Sequence, residues 1–224
     1  MSASTESAAG IAPAALPCLH ADESLLVLDK PAGLLSVPGR GIVNQDCASA
    51  RAQAQWPDAL IVHRLDMATS GLLLMARGAD MRRALGMAFE LRRVHKRYIA
   101  VVAGHVGQDS GEIDQPLRTD WPNRPRQIVT PAGKPSLTRW RVLARETDAL
   151  GRPQTRLELE PVTGRTHQLR VHLQSIGHPI LGDPLYADAE TLVRSERLLL
   201  HASELALTHP ASGAALHWQS PPPF

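Results

Sequence analysis

The chain is poor in aromatic residues, poor in cysteine, and without any long apolar run. Phe, Trp and Tyr make up 4% of its 224 residues, too few for a platform on which successive bases of a nucleic acid stack one by one. Cys18 and Cys47 stand far apart and outside any metal-ligand spacing, which argues against a disulfide framework or a zinc site and fits two inert thiols in a reducing cytoplasm. Nothing approaches the roughly 18 consecutive apolar residues that a membrane span requires. Met1 to Pro17 is a Ser/Ala-rich stretch with no basic start, so no export leader and no membrane partner are expected. The triplet Gly39 to Gly41 lacks the further glycines and the Lys-Ser/Thr ending of a phosphate loop, so nucleotide hydrolysis has no support.

What is present is a 43% apolar chain of a length suited to one well-buried catalytic domain. We place that domain at 23–224, after a flexible N-terminal segment, 1–22. The net charge of +2 says little, but its distribution says more. Six Lys/Arg between Arg82 and Arg97 face only Glu90, and seven between Arg118 and Arg145 face only Asp120, so the remainder is net acidic. This segregation suits a polyanion held over the middle of the chain, although surface arginines also cluster without function.

Local patterns give a coarse architecture. Leu25 to Leu28, Leu72 to Ala76 and Arg97 to Ala103 read as strands. Thr138, Trp140, Val142 and Ala144 alternate with more polar neighbours, as do Thr155, Leu157 and Leu159. Met81, Leu85, Ala88 and Phe89 form one apolar face of a helix over Asp80 to Leu91. His167 to Ile176 reads as a second helix, ending at Gly177. Short runs at Leu198 to Leu200, Glu204 to Leu207 and Ala215 to Trp218 complete the pattern. The tail "SPPPF" reads as an extended, poorly packed end. Many strands, few helices and no βαβ alternation predict an α+β fold.

Two segments hold candidate chemistry. "VHRLDMATSGLLLMA" places His63, Arg64, Asp66, Thr69 and Ser70 just before an apolar strand, where side chains are held rigidly at a cleft. On local grounds alone, Asp66 fits a turn or a cap as well as a nucleophile. "PVTGRTHQLRVHLQSIGHPILGDPLYA" places Arg165 at a sharp helix entry, available to pair with a carboxylate or to touch a phosphate. His63, His167, His172 and His178 match no metal-site spacing and read as hydrogen-bonded structural histidines. Tyr98 fits a buried strand position.

The run His63 to Gly71, "HRLDMATSG", resembles the signature of RluA-type pseudouridine synthases, and Gly164 to His172, "GRTHQLRVH", resembles their second block. Lys96-Arg97-Tyr98, "DKPAGLLSVPG" and "HPILGDPLY" also match, so the resemblance runs from about Leu25 to the C-terminus. "GLLSVPGR" and "DWPNRPRQ" are most similar to a compact branch, without an S4 RNA-binding domain, that modifies both a tRNA anticodon stem-loop and a hairpin of large-subunit ribosomal RNA.

This resemblance implies a pseudouridine synthase fold: a large, mostly antiparallel mixed β-sheet flanked by helices and loops, with the active-site cleft across its middle. It implies Asp66 as catalyst, with Arg165 opposing its charge and Tyr98 stacking on uracil or handling a proton. It implies substrate contacts from Arg64, Leu169, His63 and Thr69, with Arg64 filling the gap left by a flipped base. Arg82, Arg93, Lys96, Arg124 and Arg126 would then grip the RNA backbone. The isomerisation neither oxidises nor reduces its substrate, so no cofactor and no metal are expected, and the working unit is expected to be a monomer with RNA as its partner. The rival readings are a pseudouridine synthase for another rRNA or tRNA site, a non-catalytic RNA-binding protein of the same fold, and a metal-dependent hydrolase built on the histidines.

Overall fold

The computed structural model describes residues 15–39, 41 and 45–224, so most of the N-terminal segment and Arg40 lie outside the described residues. Two hydrophobic strands come first, β1 (Cys18–Ala21) and β2 (Leu25–Lys30), followed by helix α1 (Ala48–Gln55) and strands β3 (Ala59–Ile61) and β4 (Ser70–Arg77). Helix α2 (Gly78–Glu90) leads into β5 (His95–Ala103) and β6 (Ser110–Asp114). Two short strands, β7 (Leu117–Thr119) and β8 (Gln127–Val129), form a separate hairpin. The long strands β9 (Leu137–Thr147) and β10 (Pro153–Pro161) precede α3 (Gln168–Ser175), α4 (Ala189–Leu192), β11 (Leu200–Thr208) and β12 (Ala215–Gln219).

Ten strands form one sheet in the order β1-β2-β4-β11-β5-β10-β9-β6, with β3 added on β4 and β12 on β11. Every pairing is antiparallel except β4 with β11. The strand sequences explain their places. β2 and β4, Leu-Leu-Val-Leu and Gly-Leu-Leu-Leu-Met-Ala, are buried on both faces and carry continuous apolar runs. One face packs on Ala48, Ala52 and Leu65, the other on Leu85 and Val94 with Met81 and Phe89 of α2. β10 instead alternates, with Leu157 and Leu159 turned to a core containing Leu169 and Leu173 of α3 and the intervening charges turned outward. Between β9 and β10 the register skips Leu143, a bulge that leaves this leucine exposed.

At the β4–β11 seam, Gly71 has φ +107°, and a side chain there would put its first carbon 2.3 Å from the carbonyl oxygen of Ala202. Only glycine lets the two strands approach.

Most elements fall where the sequence places them, with four corrections. β1 lies inside the segment expected to be flexible and pairs with β2, so sheet pairing begins before residue 23. The end of the run Leu198 to Leu200 and the run Glu204 to Leu207 fall in one strand, β11, which starts at Leu200. α3 starts at Gln168, because His167 adopts a left-handed conformation at φ 54°. The tail is packed: Ser220 is buried, and the Phe224 ring lies under the guanidinium groups of Arg156 and Arg197 at 5.8 and 5.5 Å.

Candidate active site

Asp66 sits in the turn between β3 and β4, closed by the Thr69 N–H donating to the Asp66 carbonyl at 3.0 Å. Its neighbours on both sides are tied down. Ser36 donates through Oγ to the Leu65 carbonyl at 2.7 Å and accepts from the Leu65 N–H at 3.1 Å. The Met67 carbonyl accepts from the Gly33 N–H at 2.8 Å and from Lys30 Nζ at 3.3 Å. Lys30, fully buried, also donates to the carbonyls of Pro31 and Leu34. Burial lowers its pKa to about 8, against the pull of the Asp66 charge. The segment Pro31 to Ser36 is therefore a brace, and Asp66 is held between two fixed points.

The cation opposite Asp66 is Arg170, a correction to the assignment of Arg165. Arg170 Nη1 stands 3.2 Å from Asp66 Oδ2. Its Nε and Nη2 donate to Asp183 Oδ2 and Oδ1 at 2.8 and 2.6 Å, a bidentate pair at a fully buried carboxylate. Asp183 Oδ1 also accepts the backbone N–H groups of Leu185 and Tyr186, and the Tyr186 ring lies 5.1 Å from the guanidinium. Arg165 is exposed on the cleft rim with its Nε aimed at the Pro135 carbonyl, 3.3 Å away. The reason is local. Gln168 Oε1 accepts from the Arg165 N–H and from Thr163 Oγ1, pinning the loop, and only after the turn at His167 does the helix carry Arg170 inward.

Tyr98 lies on β5, lining the cleft and packed against both central core clusters. Burial, and secondarily the Asp66 charge, push its phenol pKa well above the ordinary value. The hydroxyl thus keeps its proton, and among the described residues it makes no hydrogen bond. Its ring packs against the core on one side and forms cleft wall on the other. Leu169 is buried beneath the same cleft, which encloses about 1360 Å³.

The remaining candidates divide. Arg64 is exposed and lines the cleft beside Asp66. Thr69 is buried and closes the turn. His63 lines the cleft, but its Nε2 accepts the Leu74 N–H at 2.9 Å and its ring stacks on Phe89 at 4.8 Å. Burial, aided by Lys96, lowers the His63 pKa to about 3, so it is neutral. Lys96 lines the cleft and lies 5.8 Å from the Phe89 ring centre. Arg124 stacks on the exposed indole of Trp121 at 4.8 Å, and Arg126 approaches Tyr186 at 5.6 Å, both at the β7–β8 hairpin. Arg82 and Arg93 are exposed outside the cleft lining.

The basic stretch Arg118 to Arg145 is less available than its sequence suggests. Arg139, Arg141 and Arg145 pair with Glu112, Glu158 and Asp109 at 2.8, 3.0 and 2.8 Å. Charge segregated along the chain is partly neutralised in space. Among the described residues no group of three His, Cys, Asp or Glu stands close enough to hold a metal ion.

Sequence reasoning missed Arg170, Asp183, Lys30, His167 and Tyr186. Each stands inside a quoted motif, and only burial separates Arg170 from Arg165 in the same block.

Residues 24–175 match the family described as RNA pseudouridylate synthase. The chain is 52% identical over 198 residues to the dual-specificity RNA pseudouridine synthase RluA of Vibrio parahaemolyticus, covering 88% of this chain and 78% of that protein. It is 48% identical over 202 residues to the protein of the same name in Yersinia pestis, covering 90% and 96%, and 45% identical over 210 residues to that of Escherichia coli, covering 93% and 94%. Among solved structures, human RNA Pseudouridylate Synthase Domain Containing 1 superposes with TM-score 0.79 at 29% identity over 96% of this chain and 87% of that one. The human Domain Containing 4 protein does so at 0.70 and 27%, over 92% and 88%.

Proposed function

The chain belongs to the RNA pseudouridylate synthase family, and from that premise we propose that Asp66 is its covalent catalyst and that its substrates are a tRNA anticodon stem-loop and a hairpin of large-subunit ribosomal RNA. The family reaction isomerises uridine to pseudouridine in RNA. The N1–ribose bond breaks, the base turns, C5 joins the ribose, and the proton leaving C5 is balanced by one gained at N1. No electron leaves the molecule. The chemistry needs a poised carboxylate, a pocket that retains the freed base, and a group that moves a proton.

One observation carries this reading: Asp66 lines the cleft with Oδ2 turned to Arg170 and, among the described residues, no hydrogen bond to Oδ1. Oδ1 is the oxygen free to act on the ribose or base. Tyr98 supplies the wall against which uracil stacks and a hydroxyl in the same cleft for the proton. Arg64, exposed beside Asp66, enters the stack in place of the flipped nucleotide. Lys96 contacts phosphate in the cleft and Arg124 and Arg126 do so at the β7–β8 hairpin, with Arg82 and Arg93 farther out.

Dual specificity draws support from the names of the relatives and from the match of "DWPNRPRQ" at the hairpin. The enzyme works as a monomer in the cytoplasm. The deciding experiment maps pseudouridine in tRNA and ribosomal RNA from cells lacking this protein and restored with it. Loss at one site in each RNA is the expected result. Loss in only one RNA removes dual specificity, and no loss removes the substrate assignment. In the same assay, Arg64→Ala should cut turnover on a structured hairpin by more than Arg82→Ala does, and equal effects would refute its place in the stack.

A further inference from the structure

Beside Asp66 stands a histidine that neither the motifs nor the family reaction assigns a task. His167 Nε2 lies 3.9 Å from Asp66 Oδ2, the same oxygen that Arg170 approaches. Its other nitrogen, Nδ1, is 2.7 Å from the hydroxyl of Tyr186. That hydroxyl is in turn 2.8 Å from the backbone nitrogen of Gln127, the first residue of β8.

The direction of each hydrogen in this chain follows from chemistry. A backbone N–H can only donate, so Gln127 occupies an acceptor site on the Tyr186 oxygen. Tyr186 keeps its own proton, because burial raises its pKa to about 12. The acceptor within reach of that proton is His167 Nδ1. Burial also holds His167 in its neutral form, against the pull of Asp66, so an Nδ1 that accepts leaves the hydrogen on Nε2. The Nε2–H dipole then faces Asp66 Oδ2. The left-handed backbone at His167, φ 54° and ψ 17°, is what turns the ring out of the helix and into this position. A non-glycine residue is disfavoured in that conformation, and the surrounding contacts must offset the strain.

We propose that His167 is a positioning residue, locked as the Nε2–H tautomer by Tyr186 and the Gln127 amide, and that with Arg170 it fixes Asp66 so that Oδ1 is the reacting oxygen. The lock is anchored on the hairpin that carries Arg124 and Arg126, so the element that touches RNA phosphates also sets the proton on the histidine beside the catalyst. The inference rests on the assignment of Asp66 as catalyst.

The test uses the full-length enzyme and a stem-loop RNA that it converts. In ¹⁵N-histidine protein, long-range ¹H–¹⁵N spectra, with His167 identified by its loss in His167→Gln, should show an unprotonated Nδ1. Tyr186→Phe removes the hydroxyl and keeps the ring against Arg170. It should populate both tautomers and lower kcat about tenfold while the Kd for RNA stays within about twofold. His167→Gln, which keeps an N–H near the Nε2 position, should retain most of the kcat that His167→Leu loses. A protonated Nδ1 in the wild type overturns the proposal, as does a Tyr186→Phe enzyme with kcat unchanged or a His167→Gln enzyme no better than His167→Leu. Should Tyr186→Phe fail to fold, the wild-type tautomer and the His167 pair decide. If Asp66→Asn retains turnover, the catalytic assignment has failed instead, and the tautomer measurement still reports on the lock itself.

Discussion

The cluster below the cleft and the ladder across the outer sheet face use the same side chains, arginine against carboxylate, in opposite surroundings. In the cluster, Arg170 and Asp183 are 3% and 0% exposed and share a bidentate pair, with Asp66 as a third member at 27%. In the ladder, Arg139 spans Glu112 and Glu160, Arg141 meets Glu158, and Arg97 lies between Glu158 and Glu204, with the arginine side chains about half exposed. Solvent makes the difference. Exposed pairs contribute 0 to about 1 kcal/mol, whereas removing one partner of a buried pair costs about 3–5 kcal/mol because the other charge is left unpaired in a poor solvent. The ladder shields and registers the sheet surface. The cluster sets the position of a reactive group.

The contrast breaks most sharply at Asp66. Asp66→Asn should fold normally and bind RNA, since its amide oxygen can take the place of Asp66 Oδ2 and accept from Arg170 Nη1, yet pseudouridine formation should vanish; turnover within a hundredfold of wild type, on the order of 3 kcal/mol of barrier, would refute its role. Next comes Arg170→Met, which should lower stability by about 3–5 kcal/mol in urea unfolding and abolish activity. Adding Asp183→Leu removes the stranded charge and should recover most of the stability but no turnover. Recovery of both would mean that Arg170 serves only the fold.

A pH scan sharpens the same boundary at His63. Its pKa in the folded protein, about 3, lies below its ordinary 6.5, so between those values the unfolded chain holds the proton and the folded one does not. Stability from this site is complete above pH 6.5 and falls as the pH drops toward 3, by about 2 kcal/mol between pH 6.5 and 5. His63→Gln, which accepts the Leu74 N–H without titrating, should flatten that slope in denaturant melts. The smallest effect belongs to the ladder. Arg141→Gln should change stability by no more than about 0.5 kcal/mol, and a loss above about 2 kcal/mol would show that exposed pairs here behave like buried ones.

The same physics explains what was legible in the sequence. β9 and β10 show in the alternation of Thr138, Trp140 and Val142 because one face is wet, and α2 shows in the spacing of Met81, Leu85 and Ala88 for the same reason. α3 is buried from Gln168 to Leu173, so no polar face marks which of its side chains points where, and Arg170 looked no different from Arg165. Asp66 and Tyr98 were reached through motif resemblance, and local composition alone left both open. The pairs that neutralise Arg139 and Arg141 depend on cross-strand register, which a single strand's sequence does not carry.

The seam between β4 and β11 carries one further consequence, for synthesis. Ser70 and His201, which pair there, are 131 residues apart. β11 lies between β4 and β5, two strands that leave the ribosome much earlier. Until the last strands emerge, the half that bears Asp66 keeps a bare apolar edge, and β5 has no neighbour on that side. The catalyst is encoded well ahead of β11, but its sheet closes only once β11 has been made.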